Sequence, residues 1–166
     1  MRQTLLIFFI TASLTLLSAC ALKPSPPKTA SETINSGAKI MIDYSSPGIK
    51  GRTIGNEIAP WGEVWRTGAN KATAFEVSQD VEVEGEALPA GKYSLYSIPG
   101  EEEWVIILNK EWDQSGSLYE QTEDALRITV KTLAAPEFSE RMIFRIDKTG
   151  IVSLTWGDYL VKFNIQ

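Results

Sequence analysis

The chain has 166 residues, of which 16 are basic and 21 acidic, giving a formal charge of −5. That balance argues against nucleic acid as a partner. The absence of histidine excludes a His base and His-ligated zinc, iron or copper, and a single cysteine, Cys20, excludes a disulfide within the chain.

The N-terminus opens with Arg2 and no acid, and an apolar run follows from Leu5 to Leu17. A charged start, a short apolar stretch and small residues at its end make a secretory signal. The run is 13 residues, short of the roughly 20 that a membrane-spanning helix needs. The quartet Leu17-Ser18-Ala19-Cys20 resembles the lipobox of bacterial lipoprotein signals. That resemblance implies lipid on the Cys20 thiol and cleavage just before it, so residues 1–19 are expected as a signal peptide. Two or three acyl chains anchor a protein stably, whereas one gives only marginal binding. Ala21 stands where an Asp often retains lipoproteins in the inner membrane. The expected location is the cell envelope, at the outer membrane facing the periplasm in a two-membrane host.

Residues 20–30 hold Pro24, Pro26 and Pro27 and little that is apolar, and are expected as a lipidated tether lifting the domain off the bilayer. Without the signal, the mature chain carries 15 basic and 21 acidic residues, a charge of −6, which argues against electrostatic attachment to anionic lipid. The remaining stretch, 31–166, suits one domain with one core.

Within it, alternation with period two dominates. Ile40, Ile42 and Tyr44 share one face; Phe75 with Val77, and Val81 with Val83, do the same. Tyr93, Leu95 and Ser97 oppose Ser94, Tyr96 and Ile98. Trp104 to Leu108 is apolar on both faces, as a central strand would be. Trp112 to Asp124 lacks alternation and has room for a short helix. Leu126 to Val130, Met142 to Ile146, Val152 to Trp156 and Tyr159 to Ile165 alternate again. Pro89-Ala90-Gly91, Ile98-Pro99-Gly100, Asp147 to Gly150 and Trp156 to Tyr159 read as turns between them. The pattern predicts an all-β fold: one antiparallel β-sandwich or open barrel of about nine short strands, with at most a short helix.

One long stretch, from Ser45 to Ala72, does not alternate. It holds five glycines, two prolines, Trp61 and Trp65. Loops this long are usually functional or disordered, and the apolar residues argue for order. Here Ile42-Asp43-Tyr44-Ser45, Lys50-Gly51-Arg52 and Val64-Trp65-Arg66-Thr67-Gly68-Ala69-Asn70 stand in sequence. Leu88-Pro89-Ala90-Gly91, Tyr93-Ser94-Leu95, Ile98-Pro99-Gly100, Trp104 and Asn109-Lys110 follow. Together these words resemble the domain-of-unknown-function 2911 family of bacterial envelope proteins. The resemblance implies an exported β-rich domain and carries no activity, so no catalytic residue transfers. One departure is Ser46, where the family commonly has Arg before the Pro.

The best site candidate is the segment Trp65, Arg66, Thr67 and Asn70. A guanidinium grips carboxylate or phosphate through two hydrogen bonds, and an indole stacks on an apolar or sugar face. Arg66 paired internally with Asp43 or Glu63 is the alternative. Tyr96 lines either an open groove or a second core layer. Glu101-Glu102-Glu103 reads as a solvated hairpin tip rather than a metal cluster, lacking the spacing of a calcium loop. No phosphate loop or dinucleotide fingerprint is present, so neither a metal nor a cofactor is expected. The leading expectation is a non-catalytic module that binds a small molecule, glycan or envelope protein through Asp43, Trp65, Arg66, Thr67, Asn70 and Tyr96. The competing ones are a hydrolase or lyase with Asp43 or Glu63 as base and Arg66 as clamp, and a purely structural lipoprotein.

Overall fold

The computed structural model describes residues 25–113 and 118–166. The signal peptide and Cys20 lie outside the described residues. Eleven strands are described: β1 (Pro27–Thr33), β2 (Lys39–Ser45), β3 (Ile54–Gly55), β4 (Ile58–Pro60), β5 (Thr73–Val77), β6 (Val81–Val83), β7 (Glu86–Leu88), β8 (Gly91–Ile98), β9 (Glu103–Asn109), β10 (Asp124–Ile146) and β11 (Ile151–Asn164). A single 3-10 turn, Gln121–Glu123, lies in the stretch with room for a helix.

Seven strands form one antiparallel sheet in the order β1-β2-β5-β8-β9-β10-β11, curled into a half-barrel. Two small sheets, β3-β4 and β6-β7, complete the fold. The alternating residues read from the sequence face inward. Ile40, Ile42, Phe75, Leu95, Trp104, Ile106, Phe144, Leu154 and Phe163 belong to one buried cluster. Fully burying a side chain of this size contributes roughly 1.5–3 kcal/mol, so this cluster is the main source of the curl's stability. Trp104 to Leu108 is central as expected, with β8 on one side and β10 on the other.

Three expectations about boundaries are corrected. Pro27 to Ala30, expected in the tether, pair with Ser45 to Ile42 as the first half of β1. Leu126 to Val130 and Met142 to Ile146, expected as separate strands, belong to the 23-residue β10. Its first part pairs with β9 and the rest with β11, with register shifts between Ala134 and Ile143. Pro136 offers no N–H to a ladder there, and the displaced pairing hides the period. Lastly, Trp156 to Tyr159 is a bend inside β11 rather than a turn, with Gly157 at φ +59°. β11 curls so far that Ile165 N–H donates to the Gly150 carbonyl at the strand's own start, at 2.9 Å. A Cβ at Gly150 would stand 1.9 Å from the Ile165 oxygen, and its φ of +94° suits glycine alone.

The long loop between β2 and β5 is tied to the half-barrel at three strands. Ile49 N–H donates to Glu140 and Met142 N–H to Pro47, which ties the loop to β10. Trp65 and Ser97 exchange two backbone bonds at 2.7 and 2.8 Å, which ties it to β8. Ala69 N–H returns to the Ser45 carbonyl at 3.1 Å. The loop is therefore ordered, because its backbone groups find partners in three strands.

Candidate functional site

The loop brings Trp65 and Arg66 to a cleft of about 270 Å³. Pro47, Arg52, Glu57, Ala59 and Gly68 line it, with Ser25 from the N-terminal segment and Trp156 from β11. Trp65 stacks on Trp156 at 5.2 Å with the planes 10° apart, and meets Trp104 edge-on at 6.3 Å. Gly68 lets the loop pass close to β2 and β5: a Cβ there would approach the Thr73 hydroxyl to 2.8 Å and the Ser45 carbonyl to 3.3 Å.

The cleft sets donors on Arg52, Arg66 and Trp156 beside one carboxylate, Glu57. Among the described residues Arg66 Nε, Trp104 Nε1 and Trp156 Nε1 are buried without a hydrogen-bond partner; Trp104 lies in the core, whereas Arg66 and Trp156 belong to residues that line the cleft. Both groups only donate. An unmatched buried donor costs about 1–3 kcal/mol, so two on one cleft call for an acceptor. Neither Asp43 nor Glu63 pairs with Arg66. The Asp43 carboxylate accepts from the Thr29 hydroxyl at 2.5 Å, and Glu63 is exposed. Arg52 is pinned by donating to the Ile49 and Gly48 carbonyls at 3.1 and 2.8 Å. Glu57 accepts from Thr53 N–H at 2.8 Å. Ala59 and Thr67 hold φ of +48°, a conformation that costs a residue with a side chain about 1–3 kcal/mol and gathers at ligand sites.

The other expected site residues separate. Thr67 is fully buried; its hydroxyl donates to Ser97 Oγ at 2.8 Å and its carbonyl accepts from the Thr73 hydroxyl at 2.8 Å. It shapes the loop and has no free group for a ligand. Asn70 is exposed, with φ of +64°, and does not line the cleft. Tyr96 is 1 % exposed and joins a second layer on the outer side of the sheet. Its hydroxyl donates to the Leu118 carbonyl at 3.0 Å, and the Tyr119 ring lies 5.0 Å away. Burial pushes the Tyr96 phenol above its ordinary value, and the Arg66 charge offsets this only in part. Arg66 thus lies within electrostatic reach of Tyr96, which is not among the residues lining the cleft. The same outer layer is locked by buried Asn109. Its amide donates to the Glu120 carbonyl and to Asp124, both at 2.9 Å. Asp124 also accepts from Tyr119 and Arg127, at 2.7 and 2.6 Å.

Asp43 lines a second, larger trough of about 600 Å³ on the sheet's outer face, with Pro27, Lys28, Lys71, Lys92, Trp112 and Asp113. Its charged groups largely satisfy one another. Lys71 lies 4.0 Å from Asp113, and Lys92 sits over the Trp112 ring at 4.3 Å. Unlike the trough, the cleft has buried donors without acceptors, which makes it the stronger candidate.

Sequence reasoning missed Trp156, Arg52 and Glu57. Trp156 read as a core residue, and the Gly157 beside it was the one sign of a bend there. Ser46, at the family's Arg position, is fully buried. Its hydroxyl donates to the Met142 carbonyl at 2.7 Å, and Arg141 donates to its carbonyl at 3.1 Å. Glu101, Glu102 and Glu103 are exposed at the β8–β9 connection, as a hairpin tip would be.

No curated protein and no solved structure matches the chain. The family described as "Protein of unknown function (DUF2911)" matches residues 25–165. This span takes in the whole half-barrel, the loop and the cleft, and the chain belongs to the DUF2911 family.

Proposed function

We propose that the mature protein is a lipid-anchored envelope domain that binds, without catalysing, a small ligand presenting an acceptor group to the Arg66 cleft. One observation carries this reading: Arg66 and Trp156, which both line the cleft, each carry a buried N–H donor without a partner among the described residues. Carboxylates, phosphates and sugar oxygens are the acceptors such donors take. The stacked Trp65 supplies an apolar wall. The lipidated Cys20 holds the domain at the cell-envelope membrane, the outer one facing the periplasm in a two-membrane host. A carboxylate-based hydrolase or lyase finds less support. Among the described residues the one carboxylate on the cleft is Glu57, and Asp43 and Glu63 do not line it.

Native mass spectrometry of protein purified from its own envelope tests the binding reading. A small-molecule adduct is expected on the wild type and lost in Arg66→Ala without a fall in melting temperature. An adduct that survives Arg66→Ala would place the ligand outside the cleft. For the anchor, Cys20→Ala should release the protein from the membrane fraction; unchanged fractionation and mature mass would refute lipidation.

A further inference from the structure

The cleft and the trough flank the point where the chain joins the sheet. Ser25 lines the cleft, while Pro27 and Lys28 line the trough. Between them the Pro26 carbonyl accepts from Ser46 N–H at 2.9 Å. The link to Cys20 is thus shorter than the tether read from the sequence. From Cys20 to Ser25 is five residues, which reach at most about 18 Å when fully extended. A headgroup layer extends roughly 5–8 Å beyond the hydrocarbon on each side of a bilayer. A lipid on Cys20 therefore keeps this end of the half-barrel close to the membrane surface.

We infer that the ligand of the cleft is the phosphate-bearing headgroup of a membrane lipid, taken from the bilayer to which the chain is tethered. This rests on the reading of the cleft as an acceptor-binding site and of Cys20 as lipidated. A phosphodiester offers only acceptors, which matches the unpartnered donors on Arg66 and Trp156. The guanidinium fork suits two of its oxygens. Glu57, on the same lining, suits a headgroup that also brings a donor, such as ethanolamine or glycerol. At about 270 Å³ the cleft is at the small end of ligand pockets, enough for a headgroup whose tails stay in the bilayer. Across the junction, the trough sets Lys28, Lys71 and Lys92 against Asp43 and Asp113, beside a Trp112 that is 43 % exposed. The exposed Trp112 indole suits a surface near lipid headgroups, where Trp is enriched.

The test uses the mature lipidated protein extracted in a sugar-headed detergent, which contains no phosphate. Native mass spectrometry should show a phospholipid adduct on the wild type and at least a tenfold smaller one on Arg66→Gln, without a fall in melting temperature. Short-chain phosphatidylethanolamine should change tryptophan fluorescence at concentrations at least tenfold below those of inorganic phosphate. The same titration of unlipidated Cys20→Ala separates the cleft from the anchor: an Arg66-dependent response there supports the headgroup site even if lipidation fails. An adduct equal in both variants overturns the proposal, because the lipid then binds elsewhere. Inorganic phosphate matching the lipid probe overturns the membrane source and leaves an anion cleft. A retained ligand without phosphate overturns the headgroup and leaves the binding reading. No adduct and no response to either probe overturns both.

Discussion

The Trp65 and Trp156 rings stack with centroids 5.2 Å apart, and that contact ties the long loop between β2 and β5 to the last strand. Neither residue has this role alone. Trp156 is packed from inside the half-barrel at 1 % exposure, and the loop carries Trp65 onto it while also meeting Trp104 edge-on. Aromatic pairs contribute about 0.5–1.5 kcal/mol beyond the area they bury.

Trp65→Ala removes both ring contacts. The expected cost is about 3 kcal/mol, the low end for a Trp deletion because the indole is only partly buried. The melting temperature should fall by roughly 10 °C, measured by circular dichroism. A shift of only about a degree would mean that the backbone bonds to Ser97 hold the loop without the stack.

Arg66→Ala should be nearly neutral or stabilising. No hydrogen bond or ion pair of its side chain is found among the described residues, so its removal leaves no charge uncompensated. Losing the unmatched Nε donor removes a cost of about 1–3 kcal/mol, so the variant is neutral to stabilised. If Arg66 were instead an internal pairing group, the loss would be about 3–5 kcal/mol. Thermal denaturation separates the two.

Asn109→Ala should destabilise the outer layer selectively. It removes the donors to Glu120 and Asp124 and the acceptor for Glu111 N–H at 3.0 Å. Leaving such buried groups unpaired costs about 1–3 kcal/mol. Hydrogen exchange should quicken in residues 118–124, which cover Tyr96, while β2 and β5 stay protected. Uniform loss of protection would show that the cover and the core unfold as one unit.

Alkaline conditions should unfold the protein through its tyrosines. Burial is the first cause that raises the phenols of Tyr44, Tyr93, Tyr96 and Tyr119 above their ordinary value. The unfolded chain ionises first, near pH 10, so above that pH it binds fewer protons than the folded chain and stability falls. The favourable contribution is complete below pH 10 and is lost as pH rises through the raised folded values. Tyrosinate absorbance should therefore appear together with the loss of β signal. Tyrosine ionisation well before unfolding would show that these rings are open to solvent.

The strands were legible because pleating is local. Ile40, Ile42 and Tyr44, or Val152, Leu154 and Trp156, announce their buried face through neighbours two residues away. The order of the long loop was legible too, since Ile49, Ile54 and Trp65 are too apolar to stay solvated. The continuity of β10 was not, because its register shifts between Ala134 and Ile143 erase the period that marks a strand.

The candidate site divides in the same way. Sequence alone put Trp65 and Arg66 together, since adjacent residues in one turn travel together. Only the tertiary structure sent Asp43 to an outer trough, buried Tyr96 beneath Leu118 and Tyr119, and brought Trp156 from β11 to complete the cleft. Sheet curvature and strand order decide which distant residues meet, and they arise from packing summed over the whole core. The missing acceptor for Arg66 Nε and Trp156 Nε1 belongs to that level as well, because a donor is unmatched only with respect to everything folded around it.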